Sequence, residues 1–372
     1  MGNDNLLWRF EPHTLAKHKI LKKYIEAWAP ILGSSTIIGR IVYIDGFAGP
    51  GEDITHKHYG SPLIAIESLI NHKKFSDIHS EIIMVFIEKR KDRKEHLESI
   101  IKQKFPSLPN NLKYTVIEGD FNSVMRDILN NLKNNNKRLA PTFCFVDPFG
   151  WSDINLDLLA EFMEQDKAEL LITFMAGFMK RSIDIPEHYD TLKTILTDEE
   201  IEEAKLKHSN NRTNFIAQRF LLKLKNKISK KIYDISFETR DKNNNVLYYL
   251  IYLTSHIAGM KAMKEAMYYT SHNGEFYFSD FDFDPHQTTL INYGLSASWF
   301  KNAADELYSY IRSQNKLLTW LDVEEVKNYV YLYTHYTFRN GIFKYLEDAK
   351  KIEVSGDRKK GTYPKKVKIR FL

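Results

Sequence analysis

Five near-continuous apolar segments, each followed by a stretch of helical spacing, constrain the fold more than any other feature. They are RIVYID (40–45), EIIMVFIE (81–88), KYTVIEGD (113–120), PTFCFVDPFG (141–150) and AELLITFM (168–175). Strands buried on both faces lose the apolar–polar alternation of a half-exposed sheet, and parallel strands need a crossover between them. The pattern therefore predicts a parallel sheet with helices on both faces. Two further runs, KIYDISFETRD and VLYYLIYLTSH, are separated only by KNNN, and so short an asparagine-rich link makes an antiparallel hairpin. The expected fold class is α/β, with five parallel strands and a terminal antiparallel hairpin.

The remaining segments organise around this frame. In 13–31 the apolar positions Leu15, Ile20, Leu21, Tyr24, Ile25 and Trp28 recur at helical spacing, with Lys17, His18, Lys19, Lys22 and Lys23 between them. This reads as an amphipathic helix with a basic polar face, in an N-terminal segment 1–32. Residues 33–275 form the α/β domain, whose stretch 180–228 exceeds one crossover helix and suits an inserted lid. A linker is expected over 276–297. In 298–372, three helical patterns (NAADELYSYIRS, DVEEVKNYVYLY, TFRNGIFKYLEDA) precede the hairpin KKIEVSGDRKKGTYPKKVKIRF, which describes a winged-helix-like α+β unit.

Composition narrows the partners. Of 372 residues 43% are hydrophobic and 27% charged, the mix of a globular chain. A net charge of +5, from 53 basic and 48 acidic residues, is too small to imply nucleic acid unless it is concentrated. The single cysteine, Cys144, excludes an intrachain disulfide framework and a cysteine-built zinc cluster, and its apolar neighbours mark it as core. His56 and His58 have no further ligands in view and read as part of a basic loop. With no membrane-length apolar run and no signal peptide, a cytoplasmic protein without membrane attachment is expected.

The chemistry is expected at the strand ends. After the first strand comes YIDGFAGPGED, an acid followed by three glycines, where the backbone turns sharply and approaches a ligand closely. Five parallel strands with a terminal antiparallel hairpin, and DGFAGPG after the first of them, resemble S-adenosylmethionine-dependent methyltransferases of class I, a Rossmann-like fold, whose first motif in nucleic-acid enzymes is D-x-F-A-G-x-G. The resemblance implies S-adenosyl-L-methionine as cofactor, held by Asp45, Gly46, Phe47, Ala48, Gly49 and Gly51. It also implies Glu88 on the ribose hydroxyls, and Asp120 and Phe121 at the adenine. The lesser alternative for Glu88 is a solvated start to the EKRKDR charge run. Strand four ends in Asp147, Pro148, Phe149, Gly150 and Trp151, where amino-methyltransferases carry an acid or asparagine, two prolines and an aromatic residue. DPFG keeps the acid and the first proline only. Asp147, Pro148 and Phe149 are the candidate catalytic residues, with Phe149 and Trp151 open to either a stacking or a core role.

The chain also resembles the three-Cys-motif partner proteins (TcmP), on KHKILKKYIEAW, YIDGFAGPG, GSPLIAIESL, FIEKR, FCFVDPFGW and MKEAM. Membership implies a methyltransferase-like fold and a partner with a three-cysteine motif, similar to radical S-adenosylmethionine proteins. The function expected is methyl transfer to nucleic acid or a nucleotide-like substrate. A non-catalytic scaffold for the partner and a small-molecule methyltransferase are the alternatives. In the terminal unit Arg339, Lys344, Arg358, Lys359, Lys360, Lys365 and Lys366 are candidate DNA or RNA contacts, against the reading of a solvated basic hairpin.

Overall fold

The apolar runs become the centre of one eight-stranded sheet. The computed structural model describes residues 5–150, 152–271, 274–282 and 295–372. Contacts divide the chain into two units, Met1–Ala262 with Tyr277–Phe283, and Met263–Phe276 with Asp284–Leu372.

In the first unit α1 (Pro12–Gly33) leads into β1 (Arg40–Asp45), α2 (Ser61–Ile70), β2 (Glu81–Glu88), α3 (Lys91–Lys104), β3 (Leu112–Glu118), α4 (Phe121–Asn134), β4 (Thr142–Val146), α5 (Leu156–Glu164) and β5 (Ala168–Phe174). Four helices follow: α6 (Ala176–Ser182), α7 (Tyr189–Lys193), α8 (Asp198–Leu206) and α9 (Ser209–Asn226). Then come β6 (Tyr233–Arg240), β7 (Val246–Thr254), α10 (Ile257–Tyr268) and β8 (Tyr277–Ser279). The sheet order is β3-β2-β1-β4-β5-β7-β6-β8. β1 to β5 are mutually parallel, and β7 runs antiparallel to both β5 and β6. This is the Rossmann-like class I methyltransferase order, with the expected hairpin at its end. β8, parallel to β6, is an addition that lies inside the expected linker; three residues are too few to show a period. The rest of that linker over 283–294, and Trp151, lie outside the described residues.

Burial explains why these segments became strands. Every residue of β4 and β5 is buried, and Tyr43, Phe86, Phe143, Phe145 and Phe174 are almost fully so. Each such aromatic contributes about 1.5–3 kcal/mol by leaving water. Local signals set the ends: Pro62 lies in the first turn of α2, Asp120 caps α4, and Thr197 and Glu200 form a capping box on α8. Under the sheet, the buried carboxyl of Glu169 accepts from Tyr24 Oη at 2.6 Å and from Thr254 Oγ1 at 3.2 Å. Tyr24 and Tyr252 hydroxyls are also 2.6 Å apart, so α1, β5 and β7 share one buried polar knot.

The second unit contains α11 (Ala297–Ser313), β9 (Trp320–Asp322), α12 (Val323–Tyr333), α13 (Asn340–Asp348), β10 (Ile352–Val354) and β11 (Lys368–Phe371). β10 and β11 pair antiparallel, and β9 adds a third strand on the far side of β11. Its core gathers Trp299, Leu307, Val326, Ile342, Phe343 and Ile369. Lys264 is buried with its ammonium on the carbonyls of Val330, Thr334 and Tyr336, where the carbonyls at the end of α12 present partial negative charge.

Candidate functional site

In doubly wound sheets ligands bind outside the carboxyl ends of the strands, where the order reverses. Here that point lies between β1 and β4. The loop after β1 is tied there by backbone bonds: Gly46 N–H to Phe145 O (2.9 Å), Ala48 N–H to Ile87 O (2.9 Å) and Gly60 N–H to Gly51 O (2.6 Å). Two glycines are conformational necessities, Gly49 at φ +64° and Gly51 at φ +94°. Gly46 is a steric one, since a Cβ there would meet Cδ2 of Phe121 at 2.6 Å.

Asp45 lies under this loop with no exposure. Phe47 N–H and the Tyr43 hydroxyl each donate to it at 3.4 Å. Burial pushes its carboxyl up to about 7; the hydrogen bond with Ser61 works against this and the nearby charge of Asp147 adds to it.

Beside the loop opens a cavity of about 160 Å³. Its walls include Phe47, Ala48, Gly49, Gly51, Asp147, Pro148 and Phe149 from the expected set, and Trp8, Lys17, His18 and Tyr248, which sequence reasoning did not assign to a site. Lys17 is buried and its Nζ lies 2.5 Å from Asp147 Oδ2, and the Tyr248 ring centre is 5.5 Å away. His18 is also buried; burial, with the Lys17 charge adding to it, lowers its pKa to about 3, so the imidazole is neutral. Trp8 stands edge-on to the half-exposed Phe149 at 5.3 Å, with the Arg93 guanidinium 4.8 Å from the Trp8 ring. The sequence predicts a solvated face for Lys17 and His18. Their burial is what amphipathic periodicity could not show, although KHK opens one of the family-like motifs.

The other expected residues take different places. Glu88 accepts from Gly49 N–H through Oε2 (2.9 Å) and from Arg90 N–H through Oε1 (2.8 Å), so it braces the glycine loop. Asp120 caps α4, its Oδ1 accepting from the N–H groups of Asn122 and Ser123 at 3.1 and 3.3 Å. Phe121 is core, 3% exposed, its ring 5.6 Å from that of Phe47. Cys144 is buried with its thiol raised well above the ordinary range by desolvation. His56 and His96 both face Glu52, at 2.8 and 3.3 Å, and no metal-ligand cluster occurs among the described residues.

In the second unit the candidate cations separate into two groups. Arg339 donates through both terminal nitrogens to Glu265 (2.9 and 2.8 Å) and stacks 4.1 Å over Tyr268. Arg358 is bound to Glu347 at 2.5 Å and to Thr362 O at 3.1 Å, with a side chain 9% exposed. These two hold the unit together. Lys344, Lys359, Lys360, Lys365 and Lys366 are exposed.

No family model and no curated protein matches the chain. Solved structures similar to it include Trm1 from Pyrococcus horikoshii with S-adenosyl-L-methionine, at 12% identity and a TM-score of 0.38, covering 72% of this chain and 61% of that one. The SAH-bound Podospora anserina methyltransferase PaMTH1 is similar at 13% identity and 0.29, covering 66% and 89%. A putative caffeoyl-CoA O-methyltransferase from Staphylococcus aureus is similar at 9% and 0.31, covering 63% and 82%. The chain thus spans about 61% of the length of Trm1. The fold assignment rests on the strand order. Among the described residues no helix is long and apolar enough to cross a membrane.

Proposed function

We propose that this chain is an S-adenosyl-L-methionine-dependent methyltransferase acting on nucleic acid or a nucleotide-like substrate, alongside a partner with a three-cysteine motif. The observation that carries the reading is the cavity at the switch point, walled by the glycine loop on one side and Asp147 on the other. Gly49 holds φ +64°, a conformation that favours glycine, and its bare backbone lines the cavity where a ligand must pass close.

In this reading Gly46 to Gly51 hold the amino-acid end of the cofactor by backbone groups, and Glu88 fixes the loop that does so. The sulfonium supplies an activated methyl group, so the protein's task is alignment and exclusion of water. Asp147 orients the acceptor, and Phe149 with Trp8 offers aromatic faces to a planar substrate. The exposed lysines of the second unit suit a phosphate backbone. The three-cysteine partner is supported by sequence resemblance.

Calorimetric titration with S-adenosylmethionine and S-adenosylhomocysteine, followed by transfer of labelled methyl to DNA, RNA and tRNA, tests the proposal. Absence of cofactor binding would overturn it. A scaffold role is the second reading, favoured by the partners that Glu88 and Asp147 already have; cofactor binding without transfer to any acceptor is its signature.

A further inference from the structure

The Lys17–Asp147 pair bears on which atom is methylated, given the methyltransferase reading on which the assignment rests. The Lys17 side chain is 9% exposed and that of Asp147 21%, so the carboxylate is the more open of the two. Its Oδ1 has no partner among the described residues. The other titratable groups around the cavity are already engaged or neutral: His18 is uncharged, His13 Nδ1 lies 2.6 Å from Asp280 Oδ2, and Asp45 is buried beneath the loop.

We propose that this pair forms an acceptor site for a hydroxyl group, in which Asp147 Oδ1 takes the O–H proton and Lys17 steadies the negative charge developing on oxygen. An amine becomes more positive as the methyl group arrives, and an ammonium fixed beside it opposes that change. A hydroxyl oxygen passes through an anionic stage, which the same ammonium favours in a water-poor cavity. The step balances. An oxygen lone pair forms the C–O bond, the C–S electron pair returns to sulfur to leave the thioether, and the acceptor's proton rests on Asp147 until it passes to solvent. Phe149 and Trp8 at the same wall suit a hydroxyl carried on or near a planar ring.

The probe is 4-nitrophenol, whose anion is read by its visible absorption, with 4-nitroaniline as the amine of the same shape. Both are titrated into the full chain. Bound nitrophenol is expected to ionise about one pH unit below the free molecule, a tenfold change, because its proton passes to Asp147 and the anion left behind faces the Lys17 ammonium beside a neutral carboxyl. It should also bind about tenfold more tightly than nitroaniline. Both effects should vanish in Lys17→Met and persist in Lys17→Arg. An unmoved or raised ionisation, equal binding of the two probes, or binding of neither overturns the proposal. If Lys17→Met does not fold by circular dichroism, the parent and Lys17→Arg decide the matter. S-adenosylhomocysteine calorimetry on the same preparation separates the two claims. Its failure sinks the methyltransferase reading, whereas intact cofactor binding without the nitrophenol shift sinks the hydroxyl site alone.

Discussion

Replacing Asp45 with asparagine keeps the shape of the side chain under the glycine loop and removes its titration. In the folded protein this carboxyl is pushed up to about 7 from an ordinary value of 3.8, chiefly by burial. A raised folded pKa means that the native state keeps a proton which the unfolded chain releases. The associated stability is complete below 3.8 and is lost as pH rises through 7. At about 1.36 kcal/mol per unit the whole span is roughly 4 kcal/mol, of which about 2.5 falls between pH 5 and pH 8. Glu169, pushed up to about 6 by burial, adds a smaller slope of the same sign that the substitution leaves alone. Urea unfolding of parent and Asp45→Asn at both pH values isolates this contribution, because the parent should lose about 2.5 kcal/mol more than the variant over that interval. Equal losses would mean that Asp45 ionises as freely in the fold as outside it, which would refute burial as the cause of the shift. A sulfonium in the adjoining cavity acts the other way, favouring the ionised form. Cofactor binding at pH 6.5 should therefore release a proton, visible as a dependence of the calorimetric heat on buffer ionisation enthalpy.

Other perturbations separate ligand contacts from scaffold. Gly49→Val places a branched side chain at φ +64°, so S-adenosylhomocysteine affinity should collapse while strain costs about 1–2 kcal/mol; unchanged affinity by calorimetry would remove the loop from the site. Gly46→Ala drives a methyl into the buried Phe121 ring and should destabilise by about 1–3 kcal/mol in thermal unfolding, and a neutral result would mean that the ring yields freely. Asp147→Ala should keep cofactor binding and lose turnover by about two or more orders of magnitude, whereas equal losses in both would assign Asp147 to the cofactor. Changing Lys359, Lys360 and Lys365 together to alanine should lower the slope of log affinity against log salt for nucleic acid by about two to three, measured by fluorescence anisotropy. Arg358→Ala should instead lower the melting point, since its guanidinium binds Glu347 and Thr362; a salt-slope effect without destabilisation would contradict that placement.

The frame was legible because its signal is long. Five apolar runs of strand length with helical spacers between them leave few arrangements, and the KNNN turn fixed the antiparallel end, where Asp241 takes the N–H groups of Asn243 and Asn245. The glycine loop was legible because its positive φ values and close contacts restrict residue type. What stayed hidden is whatever depends on burial that periodicity cannot see. Lys17 and His18 occupy the positions of a solvated helix face and are instead 7% exposed each, since their side of α1 faces the β4 end and Tyr248 rather than water. Phe121 follows Asp120 as an adenine-packing residue would, yet its ring fills the space above Gly46. Arg339 opens the third helix of the terminal unit and Arg358 its basic hairpin, but a carboxylate distant in sequence claims the first and one on the neighbouring helix the second.

The knot of Tyr24, Glu169 and Tyr252 sets a timetable for synthesis. Tyr24 precedes Glu169 by 145 positions and Tyr252 by 228, while His13 precedes Asp280 by 267. At roughly 5–20 residues per second, α1 spends on the order of ten to fifty seconds translated but only partly covered, by α2, β1 and β4, before β7 exists to complete its seat. During that interval its apolar stripe, with Ile20, Tyr24, Ile25 and Trp28, is a natural target for chaperones and a liability for aggregation. Contacts of such long range also slow refolding of the finished chain, because the loop they close must be ordered before they form. Lys17 rides on the same helix, so the cavity gains its ammonium only as α1 docks, and the nascent chain has a glycine loop well before it has a complete site.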